Sequence, residues 1–488
     1  MEPIISIRPF LAVLVSAVAV ALIIASRKKP NLREGWSFLA AFIKFGLVLS
    51  MAPTILAGGT IEYTVAAVLP GIEIKFRVDA LGLFFATTAS SLWIITTAYS
   101  IGYMRTLNEH AQTRYFSCFA IALCSAIGVA FAANLFTLYL FYEILSIMTY
   151  PLVAHHEDKE AFEGGKKYLV YLVGAAKTFL LAGIIITYMV TGTLDFKEGG
   201  IFTSEMSAAI VTIAYVCFIA GFAKAGIMPL HNWLPSAMVA PTPVSGLLHA
   251  VAVVKVGVFS IVRVIFHVFG IDTMAFFNLG LPTAFFVSFT IILASIIALT
   301  KDDLKARLAY STVSQLSYVI LGVTLLAPSG MLGGVLHIAN HAFSKITLFF
   351  CAGSIYISSN IKKISMLGGV GRRMPYTMAA FTIGAFSMIG VPAFAGFTSK
   401  WYMALGTLEA QSAPLLFVLL TSTILNAAYF LPVIFTAFFG KPHEDVNLDE
   451  IKESPKFVII PIMITAIFSV ILGIYPDYFV TLAKMVIG

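Results

Sequence analysis

The sequence predicts an all-α membrane protein, a single polytopic domain over residues 1–488 with about 14 transmembrane helices. Two inverted five-helix repeats, the fourth to eighth and the ninth to thirteenth helices, are expected within it, and both contain discontinuous helices. Three observations lead there. Of 488 residues, 59% are apolar and 11% charged, whereas soluble domains carry roughly 45–50% and about 25%. A soluble fold of that composition could not cover its surface with polar groups. Apolar windows near ~20 residues, the length of a spanning helix, follow one another from end to end. Short motifs also recur, in order, between the two halves. The same composition excludes a disordered chain or a long charged tail.

The windows are 9–26, 36–56, 80–103, 115–132, 134–153, 166–190, 208–228, 242–268, 277–300, 305–326, 330–358, 375–404, 412–438 and 457–486. The first is followed by no small-residue cleavage site, so it is expected to remain as an anchor. Only Ala133-Asn134 separates the fourth from the fifth. Prolines interrupt the stretch 208–268 that holds the seventh and eighth. The tenth opens on Asp302 and Asp303, acids that suit a helix N-terminus. The twelfth contains Gly390-Val391-Pro392. On these bounds the chain divides into N-terminal helices (1–114), a first repeat (115–268), a second repeat (277–438) and a last helix (457–488), with no Ser/Gly linker between them. Cys118, Cys124, Cys217 and Cys351 lie in apolar stretches without CxxC spacing and read as small buried hydrophobes.

Of the 31 lysines and arginines, 19 fall in loops after odd-numbered windows and five in the loops opposite. Cytoplasmic loops carry the Lys/Arg excess. Odd loops are therefore expected in the cytoplasm, with both termini outside the cell membrane. The net charge of +7 then reports topology, and no nucleic-acid partner is expected. Seven basic residues remain inside windows: Lys44, Lys177, Lys224, Lys255, Arg263, Lys345 and Lys400. Among 24 acids, only Glu143 sits well within one. A charge at that depth costs ~2.5–3.5 kcal/mol or more unless paired or hydrated, and marks ion or proton routes. Lys44 and Arg263 lie nearer window ends, from which they can snorkel to an interface. Five lysines and Glu143 are left as functional candidates.

Tyr142, Ser146 and Tyr150 recur as Tyr310, Ser314 and Tyr318 at an offset of 168 residues, which also carries Lys177 onto Lys345. Gly221-Phe222-Ala223-Lys224 returns as Gly396-Phe397-Thr398-Ser399-Lys400, one residue longer, with its lysine now 176 residues on. Each unit covers about five helices, and an odd number of spans inverts the second copy. Inverted repeats place their sites near the midplane, on broken helices. Met228-Pro229-Leu230-His231-Asn232-Trp233-Leu234-Pro235 and Gly390-Val391-Pro392 supply such breaks. The backbone groups that Pro and Gly free must be met by water or polar side chains.

Phe141-Tyr142-Glu143-Ile144-Leu145-Ser146, the run Lys224–Pro235, Ala240-Pro241-Thr242-Pro243-Val244-Ser245-Gly246 with Leu247-Leu248-His249, and Gly396–Trp401 resemble one family throughout. It comprises the antiporter-like subunits of respiratory complex I, Mrp-type multisubunit Na⁺/H⁺ antiporters and energy-converting membrane-bound hydrogenases. The stretch from Ile460 to Pro476 is most similar to the D-type Mrp subunit, and the lateral arm of the largest complex I homologue is absent. The resemblance implies two half-channels for protons joined by a polar midplane axis. By motif, Glu143 and Lys224 are implied as acid and base of the first half, His249 and Lys255 as the central relay, and Lys400 as the base of the second. Relatives rely on either a histidine or a lysine in the eighth helix, and this chain carries both. Six residues apart, the two point about 120° from one another on a straight helix, which leaves open which one is in line.

Burial favours the neutral form of an amine and a nearby carboxylate favours the charged form. A Glu143–Lys224 pair whose separation changes is thus a switchable proton carrier; the bland alternative is a static helix–helix pair. His337, His341 and Lys345 share one face of the eleventh window at i, i+4 and i+8, suiting a water-linked relay. Helix–helix hydrogen bonding is the alternative. Two histidines at that spacing resemble half a zinc site, but with no carboxylate or cysteine nearby no metal is expected. Lys177 is a weaker relay candidate, as the counterpart of Lys345. His155-His156-Glu157-Asp158 reads as a solvated loop of mixed charge, with binding of a cation as the alternative. Gly330-Met331-Leu332-Gly333-Gly334 and Gly368-Gly369-Val370-Gly371 lack the context of a nucleotide site. No haem, flavin, iron–sulfur or quinone motif appears, so no cofactor is expected and any redox chemistry belongs to other chains. The leading expectation is a module moving H⁺, with possible exchange for Na⁺, among other membrane subunits. A free-standing secondary transporter and a structural scaffold are the alternatives.

Overall fold

The computed structural model describes residues 2–247 and 251–488. The chain opens with strand β1 (Ile4–Ile5), helix α1 (Arg8–Ala25) and helix α2 (Pro30–Leu56). It then forms a hairpin of β2 (Ile61–Leu69) and β3 (Ile72–Val78) before α3 (Ala80–Thr106). β1 pairs parallel to β2, and β2 antiparallel to β3. This small sheet adds to the all-helical expectation. Its sequence signal is the alternation Ile72-Glu73-Ile74-Lys75-Phe76-Arg77-Val78 after Pro70-Gly71, with Phe76 and Val78 buried.

The first repeat region holds α4 (Gln112–Ala130), α5 (Leu135–Val153) and α6 (Lys159–Ala175), which runs through a π turn at Ala176–Leu180 into α7 (Leu181–Thr191). There follow α8 (Ala208–Gly221), the short α9 (Trp233–Ser236) and α10 (Thr242–Gly246), α11 (Val253–Val264) and α12 (Ile271–Phe276). The second region holds α13 (Gly280–Thr300), α14 (Leu304–Thr324), α15 (Pro328–Ser359), α16 (Val370–Arg373), α17 (Pro375–Ile389), α18 (Ala395–Glu409) and α19 (Ala413–Phe439). Helices α20 (Lys456–Ile474) and α21 (Asp477–Ile487) close the chain. Turn chemistry sets several starts. Asp79, Asn134, Asp158 and Asp303 each accept a backbone N–H three residues on, at the heads of α3, α5, α6 and α14.

Among the described residues, ten helices are long and apolar enough to cross a membrane, short of the fourteen expected. The remainder have physical reasons. The seventh, eighth and twelfth windows are broken into shorter helices, and α14 is too rich in Ser, Thr and Gln. α14 can afford that polarity because other helices surround it almost completely.

The loops gather at two ends. The sheet, the α4–α5 turn and the segments after α7 and α11 meet at one: Arg77 bonds Phe196 O, and Lys197 N bonds His267 O. α21 lies at this end too, with Phe479 on Phe84 and Tyr478 bonding Thr87 near the start of α3. The loops after α1, α3, α5, α13, α15 and α19 meet at the other. There Arg105 binds Glu34, Leu304 N bonds Lys362 O, and Glu453 accepts from Thr377.

Two of the membrane charges do not snorkel. Lys44 is fully buried, donates to Leu123 O at 3.1 Å and stands over the Trp93 ring. Arg263, 1% exposed, forks onto Asp79, the residue capping α3. Both side chains are held inward because carbonyl, carboxylate and aromatic partners reach them before any interface does.

Candidate functional site

Lys224 occupies a 3₁₀ turn, Ala223–Ala225, where α8 has already broken. It is completely buried, and its Nζ donates to Tyr142 O (2.8 Å) and Ser146 Oγ (2.6 Å) while lying on the Tyr142 ring. Glu143 is the next residue along α5. It makes no ion pair with Lys224 among the described residues, and its Oε1 is buried without a hydrogen-bond partner there. Charge on Lys224 and on Lys177 nevertheless acts on it. The expected pair is thus electrostatically linked but separated.

The second half repeats the plan of helix, break and lysine. Gly390, at φ 96°, ends α17, and Ala393 is also left-handed, at φ 72°. Lys400 in α18 reaches back to donate to Met388 O (2.6 Å) and Ile389 O (3.1 Å). Those carbonyls are orphaned by the break and form the negative end of a helix dipole. Lys345 in α15 donates to Ser311 Oγ at 2.7 Å. From there a chain of polar groups leads to Lys400. Ser311 Oγ and the Tyr429 hydroxyl share a hydrogen bond (3.0 Å), Tyr429 donates to Asn426, and Asn426 Nδ2 donates to Met388 O (3.4 Å).

His337 stands between. Its Nε2 donates to Gln315 Oε1 (3.0 Å), and its Nδ1 shares a hydrogen bond with Ser399 Oγ (2.8 Å), next to Lys400. The charges of Lys255, Lys345 and Lys400 all act on it. His341 follows one turn on, its ring 5.9 Å from that of His337. Lys255, 1% exposed on α11, has no hydrogen bond from Nζ among the described residues and feels the charge of Lys345. His249 lies outside the described residues. Within the first repeat, α11 meets the Lys224 turn at Gly257: a Cβ there would stand 2.3 Å from Ala225 N.

Lys177 departs from its counterpart. Lys345 is fully buried, whereas Lys177, in the π turn, is exposed on the outer face of the chain. The loop at His155–Asp158 is not wholly solvated either, because His155 is completely buried under the α3–α4 loop. A cavity of about 670 Å³ opens beside it, lined among others by Glu109, His156, Glu163, Lys167, Asp303 and Lys305. The neutral members of this network, Gln315, Ser311, Tyr429, Asn426 and Ser399, were not singled out by the sequence. Ser146 and Tyr318 were visible only as repeat positions.

A file of buried amines met by carbonyls and hydroxyls can hold or pass a proton, since no fixed counter-charge pins any of them. Residues 132–426 match the family model described as NADH:quinone oxidoreductase/Mrp antiporter, transmembrane. The chain belongs to this family. One family member, NADH-quinone oxidoreductase subunit N of Desulforudis audaxviator, is 30% identical over 491 residues, covering 97% of each chain. A chain in the structure of the Mrp complex from Dietzia sp. superposes with a TM-score of 0.86 at 20% identity, over 99% of this chain and 96% of that one. A chain of the membrane-bound sulfane sulfur reductase, an archaeal respiratory membrane complex, gives 0.87 at 23% identity, over 98% and 97%. These two share the fold. Against several other family members the chain spans 44–64% of their length.

Proposed function

We propose that this chain is a proton-translocating subunit of a multisubunit membrane complex. The observation that carries the reading is the file of buried lysines, Lys224, Lys255, Lys345 and Lys400, none with a carboxylate in contact among the described residues. Protons move between Glu143–Lys224 and Lys400 through Lys255 and the His337–His341–Lys345 face, with His249 and Lys177 as further candidates. Tyr429 and Asn426 join Lys345 to Lys400. The cavity beside Glu163 and Lys167 serves as a mouth of the path. Other membrane subunits are expected as partners, in keeping with relatives named as subunits or found in complexes. The exposed Lys177 beside Glu143 faces one of them. The basic loop layer lies in the cytoplasm and both termini outside.

Lys224→Arg tests the switch, because arginine keeps the charge and does not deprotonate in proteins. In vesicles carrying the complete complex, proton translocation should fall at least ~10-fold, a barrier rise near 1.4 kcal/mol, with the complex still assembled. Wild-type pumping by this variant would falsify the role of Lys224 as a carrier.

A further inference from the structure

The loops joining α3 to α4 and α5 to α6 bring four side chains together that sequence distance keeps apart. Glu109 Oε2 lies 3.6 Å from His155 Nε2, 3.8 Å from His156 Nδ1 and 4.0 Å from His110 Nδ1. Ligand atoms of Glu109, His110 and His155 all stand within 4.8 Å of one another. None of the three nitrogens is close enough to the carboxylate for a hydrogen bond. The decisive group is His155. Its side chain is 0% exposed, and neither ring nitrogen has a hydrogen-bond partner among the described residues. A buried imidazole without a partner is costly, yet this one is aimed at a carboxylate ringed by two further imidazoles.

The geometry points to a binding site for a borderline divalent transition metal of the Zn²⁺ kind, held by Glu109, His110, His155 and His156. With metal–nitrogen and metal–oxygen bonds near 2.0–2.2 Å, neighbouring ligand atoms on a tetrahedral ion stand about 3.4 Å apart. The three nitrogens stand 3.6–4.0 Å from Glu109 Oε2, a few tenths of an ångström beyond that spacing, and the ligand atoms of Glu109, His110 and His155 have to close from within 4.8 Å of one another. Three imidazoles select against Mg²⁺ and Ca²⁺, which take oxygen. Arg114, a neighbouring cation that also donates to His155 O, is already paired with Glu157. Bound there, the ion staples the α3–α4 loop to the α5–α6 loop at the rim of the cavity that Glu109 and His156 also line.

The test uses the full chain in lipid nanodiscs, stripped with chelator and titrated with ZnCl₂ alone. His155→Ala removes a buried ring and endangers the fold, so the partly exposed His110 and His156 carry the comparison. Wild-type protein should take up one Zn²⁺ per chain, with imidazole nitrogen in its X-ray absorption shell, and its melting temperature should rise with the metal. The His110→Ala/His156→Ala double variant should melt as the wild type does without metal. With zinc it should bind at least roughly 100-fold more weakly, since even outer partners of a metal site are worth 10–100-fold. Wild-type protein that binds Zn²⁺ no tighter than this variant does, or a Glu109→Gln variant with unaltered affinity, overturns the assignment.

Discussion

Buried charge in this protein is handled in two ways, residue by residue. Arg263 is neutralised by Asp79, and Glu62 by Lys75 and Arg77 at 2.6 and 2.5 Å. Removing one member of such a buried pair leaves an uncompensated charge. Of the lysines on the proposed pathway, Lys224, Lys345 and Lys400 instead meet neutral carbonyls and hydroxyls, and Lys255 has no hydrogen bond from Nζ among the described residues. The pairing at Glu62 carries a pH dependence. Burial raises its carboxyl, but the hydrogen bonds and charges of Lys75 and Arg77 outweigh this and hold it below the ordinary glutamate range. A depressed carboxyl stabilises the fold fully above its ordinary pKa, and that contribution disappears as pH falls through the folded value. Melting temperature should therefore drop between about pH 4.5 and lower values in the wild type, and this component should be missing in Glu62→Gln. Equal slopes in the two proteins over that range would refute the assignment. The charged residues of the proposed pathway stood out in the sequence because charge inside an apolar window is rare. Their neutral partners were not. Ser and Thr are common in these helices, and many, such as Ser90 and Thr97, merely bond their own carbonyls four residues back.

At the scale of elements, the breaks were legible for the same reason as the charges: Pro and Gly in an apolar run have few structural uses. The twelfth window divides at Gly390, and the Lys224 turn follows the end of α8. The sheet was passed over because its strands are too short to make a spanning window and fall outside the windows, two between the second and third and one before the first. The depth of α14 was equally hidden, since hydropathy reports composition and not how many neighbours surround a helix. The contact of α11 with the Lys224 turn rests on one hydrogen atom. At Gly257 a Cβ would stand 2.3 Å from Ala225 N and 2.5 Å from Lys224 C, both backbone atoms that cannot swing aside. Gly257→Ala must push α11 off the turn that carries Lys224, at an overpacking cost of about 1–3 kcal/mol. The control is Gly174 in α6, where nothing lies within 4 Å of the added Cβ. There alanine should gain roughly 0.5–1 kcal/mol of helix propensity. Thermal unfolding in detergent should thus show opposite signs for the two substitutions, and a stabilised Gly257→Ala protein would contradict the close approach.

The whole molecule is polarised, and this was the most legible property of all, because it depends on counting rather than on contacts. Loops that follow odd-numbered windows hold 19 basic residues against five in the loops opposite. The fold gathers the first set at one end, where Arg105 meets Glu34 and Lys362 meets Leu304, and the second around the sheet. Strand β1 belongs to that sheet, and α21 packs on the first turns of α3 beside it, so the two termini share an end. Retention of Lys and Arg in the cytoplasm during insertion then predicts the direction: the sheet and both termini outward. A reporter active only outside the cytoplasm, fused after Gly488, should be active, and one inserted near Asp445 in the α19–α20 loop should be silent. A reporter that fluoresces only in the cytoplasm should give the reverse pattern. If both positions report the same side, the chain crosses the membrane an even number of times between Asp445 and Gly488, and α20 is not a single span. If both report the reversed sides, charge counting has misled, and the cavity beside Glu163 and Lys167 opens outward instead.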